Sequence, residues 1–183
     1  MNFDNNVQIL NEIYTQFGIE KEFKNDLTYL KNSFDEITRI WLENFNQIKI
    51  VKYLMIAEAP LWGEDKKYIY NPNTNNSQFF FRSDLEDVLK IHIRDKMDFI
   101  IKCNEIGLLV LDISPFPLNP IDTAINYREL KKDQYRQLVQ QTIPYYFEEK
   151  VKLIISKKAA NIKVFYRYAR VRKYFIVYSS SMY

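Results

Sequence analysis

Apolar residues return every three or four positions through the first 46 residues. Val7, Leu10, Ile13, Tyr14 and Phe17 form one stripe, and Leu27, Leu30, Phe34, Ile37, Ile40, Trp41 and Phe45 form a second. That period belongs to amphipathic helices, and Gly18 between the stripes suits a helix C-cap. From Ile50 the pattern changes. Ile50 to Ile56 and Gly107 to Leu111 are short, nearly continuous apolar runs, each stopped by a carboxylate and proline. Such runs read as buried parallel strands. Val151 to Ser156 and Tyr174 to Tyr178 read as two more. Helices are expected after Ser83, over Asp95 to Glu105 and over Tyr127 to Phe147, the last with a break near Pro144. Lys157 to Arg172 reads as a basic helix.

Strands alternating with helices predict an α/β fold, three-layer α/β/α, around a four-stranded, mostly parallel sheet. The 183 residues suit one domain: two N-terminal helices over 1–48 and an α/β core over 49–183. In open α/β sheets ligands gather beyond the carboxyl ends of the strands. Glu58 and Asp112 close the first two strands, so a parallel pairing sets both carboxylates on one rim. For each the plain alternative is structural: a solvated loop acid at Glu58, a turn-capping acid beside Ser114 at Asp112. The aperiodic stretch Leu61 to Gln78 fits a functional loop.

Composition narrows the chemistry. A single Cys103 excludes an internal disulfide and a cysteine zinc site. One histidine, His92, argues against a Ser-His-Asp triad; it is expected to be structural or exposed. No apolar run is long enough to span a membrane and no signal peptide is visible, so the chain reads as cytoplasmic. Charge is uneven: Lys150 to Tyr183 holds nine basic residues and no acid, leaving 17 basic and 23 acidic residues, a net −6, elsewhere. With Phe165, Tyr166, Tyr168 and Tyr174 interleaved, that segment fits nucleic-acid contact; a basic surface without a partner is the alternative.

Four short motifs resemble those of the uracil-DNA glycosylase superfamily, across roughly Ile50 to Tyr183. Ile56-Ala57-Glu58-Ala59-Pro60 is similar to the first motif of the iron-sulfur members. Tyr70 to Leu85, with Phe79 and Phe80, resembles the loop whose ring stacks on the flipped base. Leu109-Val110-Leu111-Asp112 stands where the family has a strand ending in a base-reading Asn. Ser179-Ser180-Ser181 takes the place of a His-Pro-Ser motif. The departures are plain: Ala57 replaces a glycine, the cluster cysteines and the terminal histidine are missing, and the sequence stops where the family's pattern continues.

The resemblance implies a DNA glycosylase, with Glu58 as catalytic carboxylate and no cofactor or metal. Asp112, Phe79, Phe80, Tyr70 and Ser180 would bind the base. Lys157, Lys158, Arg167, Arg170, Arg172 and Lys173 would hold DNA phosphates. An acceptor-only Asp112 suits cytosine's amino group better than uracil. Two alternatives stay open: an inactive DNA- or protein-binding relative, and a Mg²⁺-dependent hydrolase using Glu58, Asp112 and Asp65.

Overall fold

The structure, a computed structural model, describes residues 1–74 and 81–173. Helices α1 (Asp4–Phe17) and α2 (Glu20–Gln47) follow the two stripes. Gly18 between them is left-handed, φ 71°, and donates to the Thr15 carbonyl over 2.9 Å. Tyr14 ties the hairpin together by donating to Asp26 over 2.6 Å.

Among the described residues, strand β1 (Val51–Ala57) is central in a three-stranded parallel sheet of order β2-β1-β3. Helices α3 (Arg82–Leu89) and α4 (Lys96–Ile106) precede β2 (Leu108–Asp112), which is buried throughout. Gly107, at φ 78°, makes the turn into β2 against the start of β1, where a Cβ would run into the Ile50 carbonyl. Helix α5 (Lys132–Thr142), a 3-10 turn Ile143–Tyr145 at Pro144 and helix α6 (Phe147–Ile155) then lead to β3 (Lys158–Tyr166). The α2 indole of Trp41 reaches the sheet, donating to the Val110 carbonyl over 3.0 Å.

Two expected elements exchange places. Val151 to Ser156 is helical, and the segment read as a basic helix is mostly β3, with a helical turn only at 169–173. Phe147, Lys150 and Ile154 are buried on one helical stripe, a spacing that the short apolar cluster Val151, Leu153, Ile154 and Ile155 conceals. Downstream, Ile162-Lys163-Val164-Phe165-Tyr166 is β-branched and aromatic, which suits a strand. The fourth expected strand, Tyr174 to Tyr178, lies outside the described residues. His92 is exposed, its imidazole 3.2 Å from Glu86.

Strand β3 is irregular. Val51 pairs with Lys158 but Tyr53 with Lys163, so five steps of β3 face two of β1. The extra residues include Ala159, Ala160 and Asn161. Bulges are uncommon between parallel strands and re-aim the side chains around them.

Candidate functional site

The parallel ladder fixes the rim. Ala57 is the register partner of Asp112, and the ladder continues past the strands. Ile113 donates to the Ala57 carbonyl, Ser114 to that of Glu58 and Arg167 to that of Ile56, each over 3.0 Å. Glu58, Asp112 and Arg167 therefore leave the sheet side by side, as the two apolar runs predicted for the acids.

Glu58 meets a cation there. Its Oε1 lies 3.4 Å from Arg170 Nε, with the Glu58 side chain about one-fifth exposed; that oxygen is buried and accepts no hydrogen bond among the described residues. Arg170 is held from two sides: its guanidinium stacks 3.8 Å above the Tyr135 ring and donates to the Tyr127 carbonyl over 3.3 and 3.4 Å. The Tyr127 hydroxyl donates to the Phe116 carbonyl over 2.7 Å. Its only proton being committed, it accepts from Ser114 Oγ at 2.6 Å. Burial and the nearby charges of Glu58 and Asp112 push the Tyr127 hydroxyl well above its ordinary range.

Asp112 lies beneath the rim, 3% exposed. Burial raises its carboxyl to about 6, against the opposing pull of Lys150, Arg167 and the Tyr68 hydroxyl. Tyr68 faces it without hydrogen-bond geometry: both that hydroxyl and Asp112 Oδ2 lack a partner among the described residues. Lys150 is fully buried. It donates to the Tyr146 hydroxyl over 2.6 Å and lies 3.9 and 4.7 Å from the ring centres of Tyr146 and Trp41. Burial lowers its ammonium to about 7, opposed by Asp112. Sequence reasoning placed Lys150 in an exposed basic segment. Its position on the buried stripe of α6 was the available signal, hidden while that segment read as a strand.

Other predicted site residues scatter. Tyr70 is a core residue whose hydroxyl accepts from the Val110 amide inside the sheet. Phe79, Phe80 and Ser180 lie outside the described residues. The predicted phosphate contacts divide between the two ends of β3, whose paired positions Val51 and Ile56 on β1 are about 17 Å apart at 3.3 Å per residue. Arg167, Arg170, Arg172 and Lys173 gather at the rim; Lys157 and Lys158 stand at the opposite end. Lys157 is occupied: its ammonium donates to the carbonyls of Phe45, Asn46 and Ile48 over 2.9, 3.2 and 3.0 Å, capping α2.

Asp65, the third acid of the metal alternative, is paired with Lys67 at 2.9 Å. Among the described residues no three His, Cys, Asp or Glu side chains gather as metal ligands, and no helix is long and apolar enough to cross a membrane. Surface clefts of about 250 to 660 Å³ lie away from Glu58 and Asp112. Compared with protein-family models, with curated proteins and with solved structures, the chain matches none.

Proposed function

We propose that this protein is a glycosylase-like DNA-binding domain in which Glu58 carries N-glycosidic hydrolysis of a flipped base. The observation that carries the reading is the adjacency of Glu58 and Asp112 at the carboxyl ends of paired parallel strands. Breaking the C–N bond leaves positive charge on the sugar, which a carboxylate stabilises while orienting water. Glu58 suits that role, and Arg170 fixes its direction. The burial of Asp112 favours a fixed charge beneath the rim over direct base reading. Arg167, Arg172 and Lys173 flank the site and would hold phosphates without reading sequence. A fourth strand and a three-layer arrangement belong to the same reading.

Glu58→Gln keeps the side chain's shape and removes its charge. With oligonucleotides carrying uracil, cytosine or 5-hydroxymethylcytosine at one position, base release should fall at least a hundredfold in the variant, with DNA affinity kept. Equal release by both proteins would assign Glu58 a structural role. The second reading, a binding module without chemistry, is favoured by the Arg170 contact, which already neutralises Glu58. Binding by the wild type with no release from any substrate would select it.

A further inference from the structure

The opposite end of the sheet carries a second charged surface that the proposed chemistry does not use. Beside the bulge of β3 is a cleft of about 660 Å³ lined by Ala159 and Ala160 together with Lys49, Lys52, Lys157 and Lys158. Lys157 is tied to α2, but Lys49, Lys52 and Lys158 are exposed. None of the three forms an ion pair among the described residues. Glu105, which lines the neighbouring clefts with Lys52, is held by Lys102 at 2.8 Å.

Lys52 also borders an adjoining apolar groove of about 540 Å³, which contains Tyr53 and Phe165. Those residues are 37% and 38% exposed, Tyr53 on the central strand and Phe165 on its neighbour β3. Tyr53 pairs with Lys163, and Phe165 stands two residues further along the same face of β3. Their Cα atoms are therefore about 8 Å apart from strand spacing and rise, and Lys163, the register partner of Tyr53, is exposed. Point-charge lysines beside flat exposed rings have two matching requirements, phosphates and π-faces. Free phosphate satisfies only the first, and in duplex DNA the π-faces are already stacked. Single-stranded nucleic acid offers both.

We propose that this face binds single-stranded nucleic acid, with bases on Tyr53 and Phe165 and phosphates on Lys49, Lys52, Lys158 and Lys163. It is separate from the rim of Glu58. Binding is read with a labelled 15-nucleotide oligothymidylate, which holds no base that the rim is proposed to release, so the result is independent of base excision.

The wild-type chain should bind this probe more tightly than a matched duplex, with affinity falling steeply as salt rises. Lys49→Gln/Lys52→Gln/Lys158→Gln should bind at least tenfold more weakly and flatten the log–log salt slope by about 2, at roughly 0.7 per phosphate on single strands. Tyr53→Leu/Phe165→Leu should also lose at least tenfold, yet leave competition by inorganic polyphosphate unchanged. Tyr53→Trp/Phe165→Trp, which keeps the π-faces, should retain wild-type affinity and so separates stacking from damage to the fold. Three results would each overturn the proposal: no binding by the wild type, full binding by the leucine variant, or duplex bound as tightly as single strand.

Discussion

At the carboxyl end of the sheet, Arg170 meets Glu58 and the buried Lys150 answers Asp112. At the amino end, Lys49, Lys52 and Lys158 are exposed and form no ion pair among the described residues. The two regions share a positive excess and differ in what it acts upon. Cations at the rim orient and offset the protein's own acids. Those at the bulge are left for an external anion. Charge counted along the sequence merges the two, because Lys150 to Lys173 supplies both ends through a single strand.

The comparison breaks most severely at Lys150. Lys150→Met removes the buried ammonium that bonds Tyr146 and offsets the charge of Asp112 without touching it, leaving buried polar groups less satisfied at a cost of about 1–3 kcal/mol, measurable by urea unfolding. The folded-state pKa of Asp112 already lies above its ordinary 3.8; without Lys150 it rises further. Such a group stabilises the fold below about pH 4 and loses that contribution as pH rises through the folded value. The variant's deficit should therefore be larger at pH 6.5, where Asp112 is mostly ionised and Lys150 still mostly charged, than at pH 5. Adding Asp112→Asn should recover much of it at pH 6.5. A deficit that does not change with pH would place the loss in packing alone.

Lys157 tests the intermediate case, a cation at the amino end that is used internally. Lys157→Met removes three bonds to the last carbonyls of α2, so a loss of about 1 kcal/mol is expected, given the net worth of such bonds. Its effect on oligonucleotide affinity should be small. The smallest stability effects belong to Lys49→Gln, Lys52→Gln and Lys158→Gln, each within about 0.5 kcal/mol as for surface changes generally. Thermal unfolding should barely register them while the binding assay does. If any of the three destabilises as much as Lys157→Met, that lysine is structural too.

Much of this architecture was legible from spacing alone. The stripes of α1 and α2, the Gly18 cap, β1, β2 and the shared rim of Glu58 and Asp112 all follow from runs long enough or bounded sharply enough to fix a period. What escaped depends on contacts between segments remote in sequence. Val151 to Ser156 is too short to distinguish helix from strand by its apolar residues, and reading it as a strand displaced the elements that followed. Arg170 reaching Glu58 spans 112 positions, and the burial of Lys150 against Tyr146 requires knowing that α6 packs inward. Tyr70 looked like a site residue because its loop did; its hydroxyl instead accepts an amide from the middle of β2.

Helix α3 carries a consequence for local opening. It has no buried residue, and left-handed, non-glycine residues bound it, Phe81 at φ 52° and Lys90 at φ 55°. One carboxylate fastens much of it: Glu86 accepts from the Ile93 amide over 2.7 Å and faces both Arg82 and His92. These bonds hold the Glu86 carboxyl below its ordinary value, so the anchorage is present at neutral pH and is lost as acid protonates the group. With so little apolar area to restrain it, α3 should exchange its amide hydrogens well ahead of β1 and β2. A protease added to the folded protein would find its first helical cleavage point there, and find it sooner in acid.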